Sequence, residues 1–205
     1  MRKLVALLLA AFLLVPALAA AQGRPAYSEL KPALQVEAAG KIEVLEFFWY
    51  GCIHCYNFEP PLEGWLKKLP PDVQFRRVPA VFNERWALDA AIFYSFEALG
   101  VLDKVHRPFF DAIHRDRLRT ENPAALSAWL QKQGIDPQKF NDTMKSFGVQ
   151  GKTRRAAILT GAYKIDGTPA MAVQGRYTVS ADQGGSPEGM LQSVSNLVEM
   201  VRKAK

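Results

Sequence analysis

Ten residues in the first third of the chain carry most of the information about its fold, and they read Glu46-Phe47-Phe48-Trp49-Tyr50-Gly51-Cys52-Ile53-His54-Cys55. Their first half belongs to a β-branched and aromatic run, 41–50, which is nearly continuous in apolar character and too short for a typical helix. Such a run predicts a strand that is buried on both faces of a parallel or mixed sheet. Gly51 ends the run, and a helix is expected to begin at Cys52.

The remaining pattern predicts the order β-α-β, a block of helices, then β-β-α. Prolines at Pro60 and Pro61 predict a kink or restart in the first helix, and Pro108 predicts an interruption in a later one. The elements predicted after the first helix are a strand at 73–78, helices at 84–99, 102–114, 124–132, 136–147 and 151–164, strands at 170–173 and 177–179, a loop at 182–187 and a helix at 188–202. The fold class is therefore α/β, with one unit formed by 22–82 and 166–205 and an all-helical insertion at 83–165.

The first 21 residues have the pattern of a secretory signal peptide. Arg2 and Lys3 precede an unbroken apolar run at 4–15, and small residues follow at the spacing of a cleavage site before Gln22. A membrane anchor is the alternative, but the apolar run is too short to cross a bilayer comfortably. We therefore expect export to the periplasm and a soluble mature protein.

Composition and charge exclude several classes of protein. The chain has 205 residues, of which 49% are hydrophobic and 22% charged, so it is neither disordered nor collagen-like nor a long coiled coil. Its formal net charge is +6, and the densest basic group is Lys152, Arg154 and Arg155. No nucleic-acid motif accompanies that group, so a solvated helix face is favoured and no nucleic-acid partner is expected.

The chain has only two cysteines, Cys52 and Cys55. Two cysteines cannot build a disulfide scaffold, and they leave a zinc site two ligands short, for which His106 and His114 are poorly spaced. Haem attachment requires a histidine where Tyr56 stands, and a structural disulfide here would close too small a loop to stabilise much. Redox chemistry is therefore favoured, and no metal or cofactor is expected.

The position of the pair predicts unequal sulfur atoms. Residues three apart on a helix have Cα atoms roughly 5 Å apart, which allows a disulfide to close. Cys52 lies at the helix N-terminus, where free N–H groups and the helix dipole favour the thiolate and lower the pKa, whereas Cys55 is expected to be buried. His54 is expected to stabilise the thiolate further; the alternative is an exposed histidine without a role.

The motif Cys52-Ile53-His54-Cys55 with its flanking aromatic residues, the sequence Gly167-Thr168-Pro169-Ala170-Met171 and the intervening helical block together resemble the DsbA family. The resemblance covers nearly all of the chain after the signal peptide. It implies a thioredoxin fold, a strongly lowered pKa of the first cysteine, and a cis peptide bond before Pro169 that faces the cysteine pair and helps to bind an extended client. Without that context, Thr-Pro before a strand is an ordinary turn.

The resemblance also implies roles for neighbouring residues. The resemblance implies that Glu46 is a buried acid that assists proton transfer to or from Cys55; the alternative is an acid on an exposed strand face. From the sequence itself, Glu46 lies inside a buried apolar strand and needs a partner or a proton, and Arg77 on the neighbouring strand is a candidate partner. Ile53 and Thr168 stand where proline and valine are usual, and both are expected to affect the potential and client preference. Glu46, Cys52, His54 and Cys55 are thus the predicted catalytic residues, and Ile53, Thr168 and Pro169 the predicted client-binding ones.

Three functions are compatible with these residues. The favoured one is a monomeric oxidase that donates its disulfide to reduced or unfolded exported proteins and is reoxidised, as the resemblance implies, by a DsbB-type membrane quinone reductase. The second is a disulfide reductase or isomerase of the same fold. The third is a client-binding holdase in which the cysteines are incidental.

Overall fold

Five strands form one mixed sheet in the computed structural model, which describes residues 26–204, so the predicted signal peptide at 1–21 lies outside the described residues. The strands are β1 (Ser28–Glu29), β2 (Ile42–Phe48), β3 (Val73–Pro79), β4 (Ala170–Val173) and β5 (Tyr177–Ser180), in the spatial order β1-β5-β4-β2-β3. β2 pairs in parallel with β3, and every other pairing is antiparallel. The central strand, β2, is the one predicted from its continuous apolar run.

Eight helices surround this sheet within the described residues. They are α1 (Ile53–Leu66), α2 (Glu84–Ala98), α3 (Leu102–His114), α4 (Pro123–Lys132), α5 (Pro137–Lys145), α6 (Phe147–Ala162), α7 (Ala181–Gly184) and α8 (Pro187–Lys203). Helices α2 to α6 follow one another between β3 and β4, which is the predicted chain order. The precise limits predicted for the insertion, 83–165, stay a prediction. None of these helices is both long and apolar enough to cross a membrane.

The predicted restart of the first helix at Pro60 and Pro61 and the predicted interruption at Pro108 are both wrong. α1 runs without interruption through Pro60 and Pro61, and α3 through Pro108. Pro60 lacks the N–H that would bond the Tyr56 carbonyl, and the Arg107 guanidinium donates to that carbonyl instead, with its Nη1 3.3 Å from the oxygen. A hydrogen bond from a side chain distant in the sequence thus replaces one of the backbone hydrogen bonds that the prolines remove.

Two other boundaries differ from the prediction. The helix expected at 136–147 ends at Lys145, because the Ser146 hydroxyl accepts from the Val149 N–H and starts α6 four residues earlier than expected. The segment predicted as a loop at 182–187 begins with the short helix α7, which Ser180 and Gln183 cap reciprocally. Both differences arise from side-chain caps that hydrophobic periodicity does not reveal.

The sheet separates two hydrophobic clusters. Ile42 and Val44 of β2 pack with Phe58 and Leu62 of α1 and with the apolar side of α8. Leu45 and Phe47 belong to the other cluster, which contains the aromatic core of α2 and α3. Every residue of β2 is buried, so the strand that leads to the cysteines is fixed on both faces.

Candidate active site

Cys52 is the N-cap residue of α1, at the point where the chain leaves the sheet. Its backbone is extended, with φ −88° and ψ 115°, and the Cys55 N–H donates to its sulfur at 3.3 Å. The Cys52 thiol in turn donates to the carbonyl oxygen of Thr168, also at 3.3 Å. The sulfur therefore lies between the start of a helix and the loop before β4, as the sequence predicted for the first cysteine.

The pKa values of the two thiols are shifted in opposite directions. Hydrogen bonding with Cys55 lowers the pKa of Cys52 to about 5, helped by the Thr168 side chain and the His54 backbone, although partial burial opposes the shift. Cys55 is fully buried, and the loss of solvent raises the pKa of its thiol well above the ordinary value. At neutral pH the pair is therefore a thiolate at Cys52 and a thiol at Cys55.

The loop opposite the cysteines contains the expected cis peptide bond between Thr168 and Pro169. A cavity of about 310 Å³ lies beside it, and Pro169 and His54 are both part of its lining. The remaining lining is mostly small or apolar and includes Phe58 of α1 and Met190 of α8. The structure thus brings Pro169 and His54 together on an accessible surface next to Cys52.

His54 and Ile53 are both exposed at the first turn of α1, and Ile53 keeps 48% of its surface accessible. The His54 imidazole makes no hydrogen bond with any part of residues 26–204, whereas its backbone contributes to the low pKa of Cys52. The contact between the imidazole and the thiolate, which the sequence suggested, is therefore not seen in this state.

Glu46 is fully buried on β2, and its predicted partner lies beside it. Arg77 Nε is 3.1 Å from Glu46 Oε2, but the alignment is poor, so within the described part of the chain neither carboxyl oxygen has a hydrogen bond. Burial raises the pKa of Glu46 to about 8, and the nearby charge of Glu59 adds to this while Arg77 opposes it. The alternative of an acid on an exposed face is thus excluded.

Three buried side chains that form a hydrogen-bonded cluster with Arg77 were not predicted from the sequence. Glu59 on α1 is fully buried and takes two contacts from Arg77 Nη2, at 3.0 and 3.3 Å. His106 Nε2 lies 3.3 Å from Glu59 Oε1, and its Nδ1 lies 2.8 Å from the Tyr50 hydroxyl. An acid on the apolar side of the predicted first helix was a usable signal for Glu59, but no local pattern identifies His106 or Tyr50.

Trp49 lies in the short loop between β2 and Cys52. Its indole N–H donates to the buried carboxylate of Asp89 at 2.7 Å, and its ring stacks on Trp86 with centroids 4.2 Å apart. A Cβ atom at Gly51 would lie 2.3 Å from the Trp49 ring. Glycine is therefore required at position 51 for the tryptophan to stay where Asp89 holds it.

Comparisons of the sequence identify a family and close relatives. Residues 77–193 match the family described as "DSBA-like thioredoxin domain". The chain is 44% identical over 179 residues to the thiol:disulfide interchange protein DsbA of Azotobacter vinelandii, which covers 87% of this chain and 84% of that protein. It is 40% identical over 211 residues to the DsbA of Burkholderia cepacia, with full coverage of both chains.

Solved structures agree with the sequence comparisons. The crystal structure of Pseudomonas aeruginosa DsbA superimposes with a TM-score of 0.83 at 39% identity and covers 88% of this chain and 94% of that one. The oxidoreductase DsbA from Xylella fastidiosa gives 0.80 at 32% identity, covering 86% and 95%. The predicted thioredoxin fold with an inserted all-helical domain is therefore confirmed.

Proposed function

This chain belongs to the DsbA family and is a thiol:disulfide oxidoreductase, and on that premise we propose that Cys52 and Cys55 work in the oxidising direction, donating their disulfide to reduced proteins. The observation that supports the proposal is that the pKa of Cys52 is lowered whereas the pKa of Cys55 is raised. A thiolate that is stable at neutral pH is a good leaving group, and stabilising the reduced form makes its disulfide a stronger oxidant.

The exchange takes place in two displacements. A client thiolate attacks Cys52 of the oxidised pair, so that a client–Cys52 bond forms, the Cys52–Cys55 bond breaks and Cys55 leaves as a thiolate that takes up one proton. A second client thiolate then attacks the client sulfur of the mixed disulfide and releases Cys52 as its stable thiolate. The client loses two electrons and the enzyme gains them.

Glu46 is the proposed source of the proton for Cys55. A thiol with a strongly raised pKa does not leave readily as an anion, so an acid that is still protonated at neutral pH lowers the cost of the first displacement. Burial raises the pKa of Glu46 to about 8, close enough to the working pH for the carboxyl to give and regain a proton. The nearby charge of Cys52 contributes to that raised pKa, which indicates that the acid and the cysteine pair interact.

The proposed client site is the surface around Pro169. The Thr168 carbonyl and the exposed Ile53 flank the reactive sulfur, and the adjoining cavity is lined by small and apolar groups that suit an extended peptide. His54 belongs to the same lining and is proposed to stabilise the thiolate once a client or solvent rearrangement brings the imidazole closer.

The proposed compartment is the periplasm, and the proposed clients are reduced or unfolded exported proteins. The signal-like pattern at 1–21 and the family membership support this assignment. The cycle also needs an electron acceptor, for which we propose a DsbB-type membrane quinone reductase. We propose that the protein acts as a monomer, without a metal or other cofactor.

The reduction potential of the Cys52–Cys55 pair, measured against glutathione, tests the direction. We expect a value far above that of thioredoxin, about −270 mV. A value close to that of thioredoxin would contradict the oxidase assignment and favour a reductase. An isomerase would be indicated by efficient repair of scrambled disulfides at an intermediate potential.

Replacing Cys52 by Ala tests the holdase alternative. We expect Cys52→Ala to abolish disulfide transfer to a reduced client. If suppression of client aggregation were the function, the variant would retain full activity in an aggregation assay and the redox pair would be incidental.

A further inference from the structure

The charged groups buried behind the cysteines do not balance if all of them are ionised. Glu46 and Glu59 are two fully buried acids, and Arg77 is the base between them. A second buried carboxylate would have no full countercharge, which is costly in a medium that solvates charge poorly. The two acids therefore share one proton at neutral pH.

The hydrogen bonds decide which acid is ionised. Glu59 accepts from Arg77 Nη2 on both oxygens and has His106 Nε2 3.3 Å from one of them. Glu46 has only the poorly aligned Arg77 Nε, 3.1 Å from Oε2. A carboxylate with several donors is stabilised as an anion, so the negative charge belongs on Glu59 and the proton on Glu46.

His106 supplies a donor to Glu59 only in one tautomer. Burial lowers the pKa of His106, so the ring is neutral and carries a single N–H. The Tyr50 hydroxyl lies 2.8 Å from Nδ1 and, by donating to it, leaves the ring proton on Nε2, which faces Glu59. Glu59 has no proton to offer, so the chain of donors runs in one direction, from Tyr50 through His106 to Glu59.

We propose that Tyr50 and His106 are positioning residues that keep the single proton of the buried acid pair on Glu46. Neither touches the reacting sulfur atoms; each acts through the next group in the chain. The other titratable groups that influence this cluster are Cys52, Glu63 on α1 and Asp89 on α2. Neither Glu63 nor Asp89 hydrogen-bonds to the acid pair, so His106 is the donor that adds to the asymmetry already created by the contacts of Arg77 with Glu59.

The consequence for the reaction rests on the proposed function. When the Cys52–Cys55 bond breaks, the O–H bond of Glu46 breaks and an S–H bond forms at Cys55, which leaves both acids briefly ionised. Both cysteines are free in the structure and Glu46 is the protonated acid there, so a proton from solvent must replace the one that Glu46 gave to Cys55. If the proton stayed on Glu59 instead, Glu46, the acid whose pKa the charge of Cys52 raises, would have none to give.

The location of the proton is measurable without any assay of activity. We would record the side-chain carboxyl ¹³C shifts of Glu46 and Glu59 at neutral pH, since a protonated carboxyl carbon differs from an ionised one. In His106→Leu the ratio of protonated Glu46 to protonated Glu59 should fall about 10- to 100-fold, the equilibrium equivalent of one hydrogen bond to a charged group. His106→Gln, which keeps a donor and an acceptor, should restore most of the ratio.

His114→Leu is the matched control. His114 lies two turns further along α3 and its Nε2 donates to the Tyr50 carbonyl oxygen at 2.8 Å, but it makes no contact with Glu59. Its replacement should leave the proton on Glu46. Tyr50→Phe, which keeps the buried ring, provides a test if His106→Leu does not fold, and it should move the ratio in the same direction by a smaller factor.

Two results would overturn the proposal. One is an unchanged carboxyl shift at Glu46 in both His106→Leu and Tyr50→Phe; the other is an equal loss of the Glu46 proton in His114→Leu. The outcome is independent of the direction of electron transfer, because a thioredoxin-like potential would refute the oxidase function and leave the carboxyl shifts as they are. The rate of reduction of the oxidised protein by dithiothreitol should fall in His106→Leu only if Glu46 is the proton donor.

Discussion

Lowering the pH should decrease the free energy of unfolding of the reduced protein, because the Cys52 thiolate becomes protonated. The oxidised protein has no thiolate and should lack this decrease. The Cys52 pKa in the folded reduced state is about 5, below its ordinary value of 9.0. A group whose pKa is depressed by folding contributes its full stability above the unfolded pKa and loses it as the pH falls through the folded pKa. The contribution of Cys52 should therefore shrink steadily from alkaline pH and vanish below about pH 5.

The size of the effect at neutral pH follows from the same two values. The unfolded thiol is still protonated at pH 7, so only the interval from about 5 to 7 counts, which is about two pKa units or about 2.7 kcal/mol. Cys52 is partly exposed, and solvent screening reduces the contribution to about 2 kcal/mol. For a two-electron couple, that corresponds to about 40 mV of oxidising power.

Urea unfolding of the reduced and the oxidised protein, at intervals from about pH 4 to about pH 8, measures this contribution. The oxidised protein has no thiolate, so the difference between the two free energies of unfolding cancels the titration of the groups that do not interact with Cys52. Between pH 7 and about pH 4, we expect the free energy of unfolding of the reduced protein to fall by about 2 kcal/mol relative to that of the oxidised protein. Reduced Cys52→Ala is the matched control and should show no such shift.

A difference that stays constant over this range would refute the assignment of a stable thiolate to Cys52. So would a shift of the same size in reduced Cys52→Ala, because the effect would then come from another group. A difference that begins to change only near pH 8 would mean that the Cys55 N–H does not lower the pKa of Cys52 as its position implies.

Three further predictions concern the surroundings of the sulfur pair. Glu46→Gln should gain stability over the wild type as pH rises from the ordinary glutamate pKa of 4.5 towards about 8, at up to about 1.4 kcal/mol per pH unit, because ionising a buried acid is costly; parallel urea-unfolding profiles would contradict this. His54→Ala should make the pair less oxidising, by about 30 mV per unit of Cys52 pKa, and an unchanged potential against glutathione would exclude a role for the imidazole. Gly51→Ala should cost about 1–3 kcal/mol in thermal or urea unfolding because its methyl group meets the Trp49 ring, while Gly64→Ala in α1, where a Cβ meets nothing, should be neutral or stabilising.

The parts of the site that the sequence could predict depend on local patterns. An apolar run followed by glycine predicts where β2 ends, and a cysteine directly after it is placed at a helix N-terminus. Asn122-Pro123 and Asp136-Pro137, at the starts of α4 and α5, are local signals of the same kind, because each puts a side-chain acceptor before a proline in the first helical turn. Each of these signals acts between residues that are neighbours in the chain.

The parts that could not be predicted depend on partners far away in the sequence. Nothing near Pro60 indicates that Arg107 compensates for its missing N–H, and nothing near His106 indicates that Tyr50 and Glu59 lie on either side of it. These contacts join α1 and the β2 end to α3, so they exist only once the helical insertion has packed against the sheet. The spacing of His106 and His114 argues against a zinc site, but nothing in the sequence assigns another role to His106.

The contact between Cys52 and Thr168 has a kinetic consequence. It joins residues 116 positions apart, and the neighbouring pairing of β2 with β4 closes the chain around all five helices α2 to α6. Contacts of such high sequence separation form late, after the closure entropy of the intervening chain has been offset by local structure. A chain that has not yet reached Thr168, or not yet closed its sheet, carries two cysteines of more ordinary acidity. The part of the Cys52 acidity that Thr168 contributes is thus acquired only when the sheet closes, whereas the bond from the Cys55 N–H is local to the start of α1.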